Sequence, residues 1–123
     1  MAGERVLVVD DNELNLELAQ YVLEADGFVV DRALHVDEAW ARLRACRPDI
    51  ALVDIQLPGA DGLSLVRAIK STPDLADLPV IAFTAYAMQG DEERFRAAGC
   101  DGYLSKPIDV YSFAATVRAY LGT

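Results

Sequence analysis

Short β-branched apolar runs alternate with longer amphipathic stretches from one end of the chain to the other. The runs Arg5–Val9, Phe28–Arg32, Ile50–Val53, Val80–Phe83 and Gly102–Leu104 predict strands. The stretches Glu13–Asp26, Val36–Cys46, Gly62–Ser71, Gly90–Ala98 and Val110–Leu121 predict helices. Gly27 and Gly99 stand where a left-handed residue ends a helix, and Asn12 and Asp109 where a side-chain oxygen begins one. Residues 71–77, with Pro73, read as a loop. The first, third and fourth strands are continuously apolar rather than alternating, as parallel strands covered by helices on both faces are. A doubly wound α/β sheet follows, and such sheets bind ligands beyond the carboxyl ends of their strands.

Composition narrows the function classes. A chain of 123 residues with 53% hydrophobic content makes one domain with an ample core, so disorder is excluded. Eleven Lys and Arg against twenty Asp and Glu leave a net charge of −9, which repels phosphate backbones and argues against nucleic-acid binding. Apolar runs such as Val6–Val9 fall far short of the ~20 residues of a membrane span, and Met1-Ala2-Gly3-Glu4-Arg5 opens no signal peptide. Cys46 and Cys100 lack CxxC spacing and His35 is the only histidine, which disfavours a disulfide framework or a zinc site. A reducing cytoplasm is the expected setting, with both thiols inert and partly buried and Trp40 used in packing.

The polar residues of interest stand at the strand ends. Strand one runs into Asp10-Asp11, strand three into Asp54, strand four into Thr84 and strand five into Ser105-Lys106-Pro107. Taken singly, Asp10-Asp11 reads equally as a helix-start pair, Thr84 as a turn cap and Lys106 as a surface lysine. At consecutive strand ends they form a constellation. Two carboxylates ~5 Å apart at an effective dielectric of ~20 repel by about 3 kcal/mol, so three demand a compensating cation or raised pKa values. Lys106 supplies one charge; an all-oxygen ligand set suits a hard ion such as Mg²⁺ for the rest.

Val8-Val9-Asp10-Asp11-Asn12, Asp54-Ile55-Gln56-Leu57-Pro58-Gly59-Ala60-Asp61-Gly62, Thr84-Ala85 and Lys106-Pro107, in this order, resemble the response-regulator receiver domain. With Phe83-Thr84-Ala85-Tyr86-Ala87-Met88-Gln89-Gly90-Asp91-Glu92-Glu93-Arg94, the chain is most similar to single-domain DivK-type regulators. The resemblance implies a flavodoxin-like (βα)5 sandwich with a parallel five-stranded sheet of order 2-1-3-4-5. It implies that Asp54 accepts a phosphoryl group from a phosphohistidine on a histidine kinase or histidine phosphotransfer protein. Asp11, Asp54 and the Gln56 backbone carbonyl would hold Mg²⁺, with Asp10 acting through a bound water. Lys106 and the Thr84 hydroxyl would bind phosphoryl oxygens beside a small Ala85. Thr84 and Tyr103 would form the switch, changing the face of the fourth helix, fifth strand and fifth helix that a downstream protein reads. The Lys106–Pro107 bond resembles the family's cis peptide. Gln56 and Tyr86 would tune hydrolysis, a bulky Tyr86 implying slow self-dephosphorylation. Such a chain catalyses its own phosphorylation and dephosphorylation without turning over an external substrate.

The first predicted helix carries apolar residues over an arc of roughly 220°, more than the ~100° a core-facing stripe requires. With Leu16, Ala19 and Leu23 facing the sheet, Leu14, Leu18 and Val22 with Asn15 form an exposed kinase-facing patch; a stripe covered by the fifth helix is the alternative. The chain stops after that helix at Leu121-Gly122-Thr123, so residues 1–123 are expected to be one receiver domain without an output domain, signalling through protein contacts. A receiver cut from a hybrid kinase, a flavodoxin-like electron carrier, a Mg²⁺-dependent phosphohydrolase and a phosphorylation-independent binding module remain alternatives. Asp10-Asp11-Asn12 in place of a Ser/Thr/Gly phosphate loop weighs against the flavin carrier.

Overall fold

The computed structural model describes residues 3–57, 60–84, 91–106 and 108–121. Ten elements alternate along the chain. They are β1 (Arg5–Val9), α1 (Glu13–Ala25), β2 (Val29–Ala33), α2 (Val36–Ala45), β3 (Ile50–Asp54), α3 (Gly62–Lys70), β4 (Val80–Thr84), α4 (Asp91–Ala98), β5 (Gly102–Ser105) and α5 (Phe113–Leu121). A ribbon pairing Gln56–Leu57 with Ala60–Asp61 follows β3, and a 3₁₀ turn spans Pro73–Leu75 within the expected loop. The five strands pair in parallel in the order β2-β1-β3-β4-β5, as expected.

The apolar strands are explained by two cores, one on each face. Val6 and Val8 of β1, Ile50 and Leu52 of β3, and Ile81 and Phe83 of β4 pack with Leu16, Ala19 and Leu23 of α1 and Phe113 and Val117 of α5. Their sequence neighbours Leu7, Val9, Ala51, Val53, Val80 and Ala82 point the other way, against residues such as Leu43 of α2, Val66 of α3 and Phe95 of α4. With the side chains of a strand alternating between faces, only uninterrupted apolar sequence fills both. Trp40 packs against the second core, as expected.

Gly27 and Gly99 take φ of 95° and 107°, the left-handed values expected at their helix ends. Asn12 caps α1 as expected, its side chain accepting the N–H groups of Leu14 and Asn15 at 2.9 and 3.3 Å. Several boundaries differ. β2 starts at Val29 because the Phe28 N–H is committed to the Leu23 carbonyl at 3.1 Å, in the turn that closes α1. α5 starts at Phe113 because the Asp109 carboxylate takes the Tyr111 N–H at 3.0 Å and closes a separate turn first. β3, β4 and β5 each run one residue further than expected, so Asp54, Thr84 and Ser105 lie within the sheet ladder. Gly90, the expected start of the fourth helix, lies outside the described residues.

Clasps close the amino edge of the sheet. The Lys70 ammonium donates to the Leu78 carbonyl at 2.6 Å and to Asp101 Oδ2 at 2.8 Å. Arg118 donates to the Asp26 carboxylate and carbonyl, both at 2.6 Å, and to Glu4 at 3.2 Å, with its guanidinium over the Phe28 ring. Cys100 is buried and its thiol is pushed up to about 11 by that burial, with Asp101 adding to the effect. Cys46 is exposed rather than partly buried, because it sits just past the end of α2.

Candidate functional site at the carboxyl edge of the sheet

β1, β3 and β4 deliver Asp10, Asp54 and Thr84 to one edge, and all three are buried. The Asp10 N–H donates to the Ala33 carbonyl at 3.0 Å, which ties the start of the β1–α1 loop to the end of β2. The Asp10 carboxylate has no solvent exposure, and each of its oxygens has donors. Oδ1 accepts the Asn12 N–H at 2.9 Å; Oδ2 accepts the Lys106 ammonium at 2.8 Å and the Asn15 amide at 3.4 Å. Asp11, next along the turn, is exposed at the mouth.

Asp54 is only 4% exposed. Its Oδ1 accepts the Gln56 N–H at 2.9 Å and its Oδ2 the Lys106 ammonium at 3.2 Å. Burial raises its carboxyl from 3.8 to about 6, and the Asp10 charge adds to this, against the lowering by the Gln56 N–H and Lys106. Lys106 is held from two sides. Its N–H donates to the Thr84 carbonyl at 2.8 Å, and its ammonium lies 5.0 Å from the centre of the Phe83 ring while bridging Asp10 and Asp54. Burial opposes its charge, but the Asp10 hydrogen bond and both aspartate charges outweigh it and hold its pKa above the ordinary lysine value.

One carboxylate oxygen from each of Asp10, Asp11 and Asp54 lies within 4.8 Å of the others. Three clustered acids with one ammonium on two of them keep the pocket negative, and an all-oxygen donor set fits a hard divalent cation. Gln56 begins the short ribbon after Asp54 with its side chain exposed. Tyr103 is exposed on the edge strand β5, its ring 6.1 Å from that of Phe95. Ala85, Tyr86 and Pro107, and with Pro107 the expected cis peptide, lie outside the described residues.

Gly62 closes the motif that follows β3, and the folded chain supplies the reason for a glycine there. A Cβ at this position would collide with the Asp54 carbonyl oxygen and the Ile55 backbone, and the Gly62 N–H donates to the Ile55 carbonyl at 2.9 Å. Helix α3 thus packs directly on the backbone at the end of β3.

The expected α1 patch is partly corrected. Leu16, Ala19 and Leu23 face the sheet, and Leu14 and Leu18 are exposed, as expected. Val22 is half-buried against the core, and Asn15 is half-buried with its amide on Asp10. Beside the patch a groove of about 700 Å³ runs between α1 and the start of α5, lined by residues including Leu18, Tyr21, Val22, Tyr111 and Arg118. Tyr111, at 95% exposure, was missed because Val110–Tyr111 read as the first turn of α5.

Residues 6–118 match the family described as response regulator receiver domain. The polar-differentiation response regulator DivK of Brucella anthropi is 47% identical over 117 residues, covering 95% of each chain. A response regulator structure from Chloroflexus aurantiacus superposes with a TM-score of 0.91 at 29% identity, over 98% of this chain and 99% of that one. The receiver domain of a sensor histidine kinase from Pseudomonas aeruginosa, crystallised with a magnesium ion coordinated in its active-site cleft, gives 0.87 at 32% identity, over 99% of this chain and 100% of that one.

Proposed function

The chain belongs to the response regulator receiver family, and from that premise we propose that Asp54 accepts a phosphoryl group from a phosphohistidine on a histidine kinase or histidine phosphotransfer protein. One observation carries the reading: a single ammonium, Lys106, bridges buried Asp10 and Asp54 at 2.8 and 3.2 Å in a pocket whose carboxylates still outnumber it. An Asp54 oxygen forms a P–O bond as the P–N bond breaks, and the electron pair returns to the imidazole, which takes a proton from solvent. A loose phosphoryl-transfer transition state is stabilised by positioning and by charge. Asp11, Asp54 and the Gln56 carbonyl, with Asp10 through a water, would hold Mg²⁺, whose charge would offset that of the phosphoryl oxygens.

The protein's own groups then divide the work. The Gln56 N–H on Oδ1 orients Asp54, the Lys106 ammonium turns toward a phosphoryl oxygen, and the Thr84 hydroxyl binds another. The new group carries nearly two charges, which draws Thr84 inward and lets the Tyr103 ring follow. The α4–β5–α5 face changes, and a downstream protein reads it. Leu14 and Leu18 with the α1–α5 groove form the kinase-facing surface, and a cytoplasmic setting agrees with free thiols at Cys46 and Cys100. Among the described residues no helix is long and apolar enough to cross a membrane.

Transfer from a phosphohistidine-labelled kinase domain tests this. Label moves to the wild type and not to Asp54→Asn, while Leu18→Asp loses roughly tenfold in transfer from the kinase and keeps its uptake from acetyl phosphate. Retention of label on the kinase with the wild type overturns the reading, and equal loss with both donors assigns the Leu18→Asp defect to the fold rather than to a kinase contact.

A further inference from the structure

Asp10 Oδ2 is a shared acceptor. Two donors from different parts of the fold reach it: the Lys106 ammonium at 2.8 Å, from beyond β5, and the Asn15 amide at 3.4 Å, from the first turn of α1. Asn15 is delivered there by the cap that starts the helix, since the Asn12 side chain accepts the Asn15 N–H at 3.3 Å while the Asn12 N–H donates to the other Asp10 oxygen at 2.9 Å. The Asn15 side chain is only half exposed, which sets it apart from Leu14 on the same turn at 74%.

The two donors differ in how they respond to phosphorylation. Lys106 lies closer to Asp10 than to Asp54, and a phosphoryl group on Asp54 brings nearly two negative charges to the far side of its ammonium. As the ammonium turns away, Asp10 loses its shortest hydrogen bond while fully buried, and a buried ionised acceptor deprived of a donor is costly. The Asn15 amide is already in place on the same oxygen. At 3.4 Å its bond sits at the long limit, so it can tighten as Lys106 leaves.

Building on the proposed phosphoryl acceptance, we infer that Asn15 is a positioning residue: its amide takes over Asp10 Oδ2 so that Lys106 is released to the phosphoryl group on Asp54. Asn15 acts through Asp10 and Lys106 and does not touch the reacting atoms. Without the amide, Asp10 keeps its hold on Lys106 and the pocket resists the change.

The test compares wild type, Asn15→Ala, Asn15→Asp, Asp10→Asn and the double variant Asp10→Asn/Asn15→Ala, with acetyl phosphate as donor so that no kinase contact enters. Asn15→Ala slows uptake roughly three- to tenfold with an unchanged melting temperature. In the Asp10→Asn background the same substitution changes uptake by less than about twofold, because the group it acts through is already altered. Calorimetric titration with Mg²⁺ gives a readout apart from turnover. Asn15→Ala weakens binding about threefold because Lys106 competes harder for Asp10, whereas Asn15→Asp strengthens it by adding charge yet still slows uptake, having no amide to donate. Uptake by Asn15→Ala equal to wild type, or an effect undiminished by Asp10→Asn, overturns the inference alone. A wild type that takes up no phosphoryl group overturns the functional reading and the inference with it.

Discussion

The two edges of the sheet use the same chemical groups to opposite ends. At the amino edge, Lys70 meets Asp101 and the Leu78 carbonyl, Arg118 meets Asp26 and Glu4, and Arg47 meets Asp77 at 2.8 Å, so each of these cations has an acidic partner beside it. At the carboxyl edge, Asp10, Asp11 and Asp54 cluster together, one ammonium bridges Asp10 and Asp54, and two of the three acids are buried. The amino edge is a set of clasps, and its charges close the chain. The carboxyl edge keeps negative charge in excess, which is unfavourable for the resting fold and is what a cation or a phosphoryl group brought in with one can relieve.

The largest expected effect comes from pressing on the backbone under the excess. Gly62→Ala drives a methyl group into the Asp54 carbonyl, so phosphoryl uptake falls by about 100-fold or more and stability by about 3 kcal/mol. Uptake and urea denaturation measured on the same sample separate the two losses. A fully active Gly62→Ala protein would mean that the end of β3 does not depend on close contact with α3.

Next in size, the two lysines should trade roles. Lys106→Met lowers uptake from acetyl phosphate by about 10²-fold, whereas Lys70→Met leaves uptake within about twofold and costs about 1–3 kcal/mol of stability. Loss of uptake from Lys70→Met would erase the distinction between the edges.

The smallest effect is on pH dependence, in protein freed of divalent cations with a chelator. Burial raises the folded Asp54 carboxyl to about 6 from 3.8, so the folded state binds this proton more tightly than the unfolded chain. The favourable contribution is complete below about pH 4 and is lost as pH rises through about 6, amounting to about 1–3 kcal/mol. Asp54→Asn removes this slope, so by denaturant titration it gains on the wild type toward neutral pH. Parallel curves for the two proteins would place the excess charge elsewhere.

What the sequence made legible follows from the reach of each signal. Continuous apolar runs such as Val6–Val9 and Ile50–Val53 encode burial on both faces, and Gly27 and Asn12 encode helix ends by local geometry, so a doubly wound sheet and the edge bearing Asp10, Asp54, Thr84 and Lys106 could be read in advance, while the strand order followed from the resemblance to receiver domains. Asn15 could not be placed, because helical periodicity gives its angle around α1 and not its reach to Asp10 across the loop. The clash that keeps Gly62 a glycine depends on a strand eight residues earlier, and the exposure of Tyr111 on a turn held by Asp109 rather than a helix. In each case the partner is near in sequence, but the loop or turn conformation that sets the distance is fixed only in the folded chain.

The most direct test of a phosphoryl acceptor at the carboxyl edge is the intact mass of the protein after incubation with acetyl phosphate, with and without Mg²⁺, for wild type and Asp54→Asn. A single phosphoryl adduct that requires Mg²⁺ and is absent from Asp54→Asn is the predicted result. An adduct that persists in Asp54→Asn, or a wild type that gains none under either condition, would contradict it.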